Sequence, residues 1–135
     1  MRVVVDASLL VALLTSPGSE ADGIARRLMG EQLHAPDHVA VEVTSAVRRL
    51  RLAGKLGETE ALLALSALWD LPIQLWPQRV LNGRTWALAA NVGAYDAGFV
   101  ALAERLDAPL LTADARLGRA SGPVCRFEVF DGDHR

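Results

Sequence analysis

Short apolar runs of strand length alternate with helix-length stretches along the whole chain. No other feature restricts the fold as strongly. Residues 2–5 read as a buried strand, residues 7–14 as a helix stopping near Ser16-Pro17-Gly18, and residues 19–29 as a second helix. Ser19 and Asp22 have capping-box spacing at its start. His34-Ala35 forms a brief strand, and Pro36-Asp37 starts a helix running to about residue 53, with Gly54 just past its end. Then follow a helix over 58–68, a strand over 73–75 closed by Pro77, and helices over 79–91 and 96–106. A buried strand at 110–112, one helical turn at 113–118 and an alternating strand at 126–130 complete the series. Residues 131–135 read as a frayed tail. The expected fold class is therefore α/β: a three-layer α/β/α sandwich with a mostly parallel central sheet, one domain over residues 1–135.

Composition narrows the class further. Hydrophobic residues make up 51% and charged residues 22%, the balance of a globular chain rather than a disordered one. No apolar run approaches membrane-spanning length, and Asp6 interrupts the N-terminus before a secretory core can form. Cys125 is the only cysteine, which leaves no internal disulfide and no cysteine metal cluster. A cytoplasmic protein without a membrane partner is expected. A formal net charge of -2 argues against holding nucleic acid by bulk basicity.

In parallel sheets, ligands sit beyond the carboxyl ends of strands. Asp6 follows the first strand, Asp114 follows the strand ending at Thr112, and Asp96 opens the helix before that strand. Glu42 lies on the flank of the apolar stripe formed by Val39, Val43, Val47 and Leu50. Each Asp also has a simpler role as a helix N-cap, and Asp37 suits capping better than catalysis. Capping does not explain why Asp6, Asp96 and Asp114 can all reach one rim of one sheet, with Glu42 facing it. Glu31, Glu58, Glu60 and Glu104 read as members of solvated faces.

Convergence would have an electrostatic consequence. Two carboxylates about 5 Å apart repel by roughly 3 kcal/mol at an effective dielectric near 20. Four such groups must either take up protons or bind a divalent cation. Oxygen-only ligands suit Mg²⁺ or Mn²⁺. Ser8 and Thr112 are placed to hydrogen-bond beside Asp6 and Asp114. His34 and His38 lack a zinc-ligand pattern and read as ordinary surface or loop histidines.

At these residues a resemblance enters. VVDASLLVALL, PDHVAVEVTSAVRR and AYDAGFVALAERLDAPLLTADARL, in that order, resemble the PIN-domain ribonucleases, and specifically the VapC-type toxins of bacterial toxin–antitoxin pairs. The resemblance implies a PIN-like α/β/α fold. It maps an acidic quartet onto Asp6, Glu42, Asp96 and Asp114, as metal ligands and catalytic groups, and supporting hydroxyls onto Thr112 and Ser8. It implies a Mg²⁺- or Mn²⁺-dependent endoribonuclease that cleaves RNA phosphodiesters with a metal-activated water. It also implies a VapB-type antitoxin as inhibitor and a homodimer. Arg48, Arg49, Arg51, Arg116 and Arg119 could hold RNA phosphates. Arg116 lies closest in sequence to an expected ligand and is the foremost RNA-binding candidate. Trp69, Trp76, Trp86 and the leucines of 9–14 read mostly as core, with some left for a dimer contact or an antitoxin groove.

Two other readings stay open at this point. A receiver-like or phosphohydrolase-like domain also gathers Asp residues around Mg²⁺, but it generally uses a Lys near the phosphoryl group. The one Lys here, Lys55, lies just past a helix end. A PIN-like non-catalytic binding module would use the same acids only as caps.

Overall fold

A computed structural model of the chain describes residues 1–130. The expected tail at 131–135 lies outside the described residues. The chain begins with β1 (Arg2–Val5), α1 (Ala7–Thr15), α2 (Gly18–Leu28) and β2 (Gln32–Pro36). It continues with α3 (Val39–Leu52), α4 (Glu58–Asp70) and β3 (Ile73–Trp76). After a 3-10 turn at Gln78–Val80 come α5 (Asn82–Ala87), α6 (Ala94–Leu106), β4 (Leu110–Thr112), α7 (Ala115–Gly118) and β5 (Phe127–Val129). No helix among the described residues is long and apolar enough to cross a membrane.

The five strands form one sheet in the order β3-β2-β1-β4-β5, and every neighbouring pair is parallel. Central strands covered on both faces need apolar side chains on both faces. Val3, Val4 and Val5 in β1 and Leu110, Leu111 and Thr112 in β4 are accordingly all buried. The edge strands β3 and β5 are more exposed. α1 packs against α2, α3 and α4, while α6 packs on β1, β2 and β4 and against α5. Right-handed crossovers place these two groups on opposite faces. α6 lies close against the sheet because Ala97, Gly98, Ala101 and Ala103 are small, with Phe99, Val100 and Leu102 filling the gaps between them.

Strand order locates the functional end of the sheet. The chain leaves β1 toward β2 on one side and leaves β4 toward β5 on the other, and β1 and β4 are neighbours. Their carboxyl ends therefore flank the switch point, where such sheets open a crevice.

Several local expectations change. α2 begins directly after Pro17 with no side-chain cap, so Ser19 lies inside the helix and forms no capping box. α3 begins at Val39, two residues later than expected, and Asp37 does not cap it. The helix expected over 79–91 divides into the 3-10 turn, α5 and further turns. Trp69 and Trp86 are exposed rather than core. Glu104 is not on a solvated face, because Arg84 Nε donates to it at 2.6 Å and the Val124 N–H at 2.8 Å.

Candidate active site

Asp6 ends β1 and caps α1 in one step. Its Oδ1 accepts from the Leu9 N–H at 2.9 Å and from Ser8 Oγ at 2.8 Å, while Oδ2 accepts from Thr112 Oγ1. Both hydroxyls then accept in turn. Ser8 Oγ takes the Ala113 N–H at 2.9 Å, and Thr112 Oγ1 takes the Asp114 N–H at 3.0 Å. Thr112 therefore serves the carboxylate of Asp6 and only the backbone of Asp114, whereas the sequence placed it beside the Asp114 side chain. This network ties β1 to β4 across the switch point and fixes Asp6 in one rotamer.

Thr112→Val keeps shape and removes the shared hydroxyl. It should destabilise the protein by about 1–3 kcal/mol, read from urea denaturation, because Asp6 Oδ2 and the Asp114 N–H both lose a buried partner.

The other three carboxylates approach from separate elements. Glu42 sits in the first turn of α3, Asp96 in the first turn of α6, and Asp114 caps α7 by accepting the Arg116 N–H at 2.9 Å. Asp96 does not cap its helix, since Gly93 occupies that position. All four line one open cavity of about 360 Å³, together with Ser8, Arg49, Phe99 and the small side chains of Ala7, Val11 and Ala46. The convergence expected from sequence is therefore present.

The electrostatics follow from this crowding. Burial pushes the Asp6 carboxyl up to about 6 against its three hydrogen bonds, with the Asp96 charge adding to the rise. Burial also pushes Glu42 up to about 7, helped by the charges of Asp96 and Asp6. Asp96 is raised by burial and by Asp114, while Arg116 and His38 partly offset the rise.

Two neighbours differ from the sequence expectation. His34 is buried, and its Nδ1 accepts from Trp76 Nε1 at 3.0 Å. His38 is not a loop residue free in solvent. Its ring stands edge-on to Phe99 and Tyr95, with Nε2 3.1 Å from the Tyr95 carbonyl and 3.4 Å from Glu42 Oε1. A carbonyl can only accept, so Nε2 carries the hydrogen. Gly98 makes room for this ring, because a Cβ there would lie 2.9 Å from His38 Cε1. Among the arginines, Arg49 lines the acidic cavity. The side chain of Arg116 is 86% exposed and lies 3.6 Å from Asp114 Oδ1, outside the cavity lining.

The donor set fits a hard divalent cation in chemistry. It consists of carboxylate oxygens, and Glu42 Oε1 is buried and accepts no hydrogen bond, the His38 Nε2 hydrogen being directed to the Tyr95 carbonyl. The fit is not that of a closed cage: among the described residues, no group of three or more His, Cys, Asp and Glu side chains is arranged to hold a metal ion by itself. The expectation of a preformed ligand set is corrected to that extent. Mg²⁺ usually keeps several waters and takes only one or two carboxylates directly, which suits an open cavity.

The PIN domain family model matches residues 3–123. Ribonuclease VapC12 of Mycobacterium tuberculosis is 38% identical over 128 residues, spanning 94% of this chain and 98% of that protein. Among solved structures, M. tuberculosis VapC20, described as a sarcin-ricin loop cleaving toxin, superposes with a TM-score of 0.66 at 14% identity over 87% of this chain and 93% of its own. VapBC-1 from nontypeable Haemophilus influenzae gives 0.64 at 15% identity, over 96% and 98%. These two likenesses bear on the fold, while the family model and the sequence relative span nearly the whole chain. On that span and identity, the chain belongs to the PIN domain family and, within it, to the VapC ribonucleases.

Proposed function

We infer that this protein is an endoribonuclease, the toxin of a toxin–antitoxin pair, and that it cleaves RNA phosphodiesters with a hydrated divalent cation taken up in the cavity that Asp6, Glu42, Asp96 and Asp114 line. The observation that carries this reading is the gathering of four acids from separate elements in one cavity, with Glu42 Oε1 buried there and accepting no hydrogen bond because the His38 Nε2 hydrogen is directed to the Tyr95 carbonyl. A bound Mg²⁺ or Mn²⁺ supplies neutralising charge at the phosphate and lowers the pKa of a coordinated water.

The chain supplies the rest. Asp6 is locked by Ser8, Thr112 and the Leu9 N–H, so one ligand position is rigid. Glu42 lines the same cavity beside Asp6 and Asp96, where its carboxylate can orient the attacking water. Asp96 carries no side-chain hydrogen bond among those described, which leaves its carboxylate free to turn toward the ion or its water. Lys55 lies in the turn after α3, outside the cavity lining, which leaves the phosphoryl-transfer reading without its cation.

Likeness to VapBC-1 supports a VapB-type antitoxin as partner. The exposed side chains Leu62, Leu63 and Trp69 on α4 offer apolar surface for a protein contact, antitoxin or second copy. Action in the cytoplasm belongs to the same reading.

Incubation with RNA and Mg²⁺ or Mn²⁺ should give fragments with 5′-phosphate and 3′-hydroxyl ends, and EDTA should abolish them. Cleavage that persists in EDTA, or products with 2′,3′-cyclic ends, would oppose the proposal.

A further inference from the structure

We propose that the groove beside the acidic cavity is a subsite for one unstacked nucleotide flanking the cleaved phosphodiester, with its base on Tyr95 and its phosphate on Arg49. The inference rests on the ribonuclease reading and extends it to substrate recognition. The groove has a volume of about 360 Å³ and is lined by Val41, Glu42, Ser45, Arg49 and Tyr95. Glu42 and Arg49 also line the acidic cavity, so the two spaces adjoin.

Tyr95 precedes Asp96 in the first turn of α6, which fixes its ring relative to an active-site carboxylate. The ring is held by His38 at 5.6 Å between centroids, yet the residue is 66% exposed. An exposed aromatic anchored beside a phosphodiester site is a platform for a base, since every base has a π-face. Val41, 71% exposed, adds an apolar edge.

Arg49 supplies the missing charge. Four carboxylates repel an approaching polyanion, and Arg49 is the cation on the wall common to both spaces. Its Nη1 donates to Ser45 Oγ at 3.0 Å, which orients the guanidinium while leaving its other N–H groups for a phosphate. Arg27, Arg51, Arg84 and Arg116, by contrast, each face a carboxylate of the chain. A flat apolar face, a fork of donors and a hydroxyl in one groove match a nucleotide better than a peptide. The base must be free to leave its neighbours, so single-stranded RNA or a loop is the substrate form.

Tyr95 is the only tyrosine in the chain, so 3-fluorotyrosine labelling gives a single ¹⁹F resonance at this position. In EDTA and low salt, a mixed-sequence single-stranded oligoribonucleotide should shift that resonance saturably, and the same sequence as a duplex should shift it less. Arg49→Gln should weaken the midpoint roughly tenfold. In cleavage assays with Mg²⁺, Tyr95→Ala should raise KM roughly tenfold with kcat changed by about twofold or less, and Tyr95→Phe should restore KM. A resonance that RNA leaves unmoved overturns the subsite, and one that moves only with protein concentration overturns it and assigns the face to a contact between copies of the chain. Equal loss of kcat in Tyr95→Ala and Tyr95→Phe also overturns it. If the wild type cleaves no RNA yet the resonance still titrates, the subsite stands and the ribonuclease reading falls. If the wild type cleaves RNA and Tyr95→Ala does so with unchanged KM and kcat, the subsite falls and the ribonuclease reading stands.

Discussion

Asp96→Asn is expected to make the protein more stable at neutral pH and to reduce RNA cleavage by at least about 10²-fold. The two effects have opposite signs because Asp96 contributes charge and little else to the fold. Gly93 occupies the N-cap position of α6, and Asp96 lies within the first turn without a capping contact. Its negative charge raises both Asp6 and Glu42, so it raises the cost of keeping those two ionised. Asparagine relieves that repulsion at nearly the same volume. It also removes an anionic oxygen from the cavity in which a cation and a phosphate must be balanced. Cleavage kinetics and urea denaturation near neutral pH read the two halves. Full cleavage by a stabilised variant would remove Asp96 from the site. Loss of both activity and stability would make it a structural residue.

The metal-free protein should be more stable near pH 5 than near pH 8, by about 3 kcal/mol or more. Asp6 is raised from 3.8 to about 6 and Glu42 from 4.5 to about 7. Between the unfolded and folded values, the native state holds protons that the unfolded chain has released. Stability therefore falls as pH rises through that window, from about 4 to about 7. Above it, the native state carries the full penalty of two crowded, ionised carboxylates. The Asp6 rise corresponds to about 3 kcal/mol over its whole window, roughly half of it lost above pH 5, and Glu42 supplies the larger part of the fall from pH 5 to pH 8. The Glu42 rise does not simply add, because Asp96 and the pair's own repulsion enter both. On the acid side the sign reverses. Arg27 holds Glu31 and Glu128 below their usual range, and their contribution is lost as pH falls through those lowered values. Denaturation midpoints across this range in EDTA should thus peak near pH 5. A midpoint that rises steadily toward pH 8 would mean that the carboxylates are well solvated after all.

The sheet was legible because its evidence is local. Val3-Val4-Val5 and Leu110-Leu111 are too short and too apolar for anything except strands covered on both faces, and β1 and β4 fall where periodicity puts them. That four acids share one cavity was legible for a related reason. Asp6 and Asp114 are tied to strand ends, and parallel topology brings strand ends together. What stayed hidden depends on side-chain direction across long sequence separations. Thr112 donates to Asp6 across 106 positions, although its nearest acid in sequence is Asp114. Arg49 reaches the cavity because α3 aims it there, whereas Arg116, the nearer residue in sequence, lies exposed beside Asp114 and outside the cavity lining. His38 reads as a loop residue in sequence because α6 closes over it from far along the chain, and only the absent side chain at Gly98 hints at that approach. Helix starts at Gly18 and Val39 carry no side-chain caps and hence no sequence signal, because tertiary packing, and not a capping residue, sets them.

The most direct measurement is the melting temperature near pH 8 of the wild type and of Asp96→Asn, each with and without Mn²⁺. If four crowded acids are reconciled by a doubly charged ion, Mn²⁺ should raise the wild-type value by several degrees and the variant, already relieved, by distinctly less. A wild type indifferent to Mn²⁺, or an equal rise in both proteins, would contradict a shared cation at this pocket.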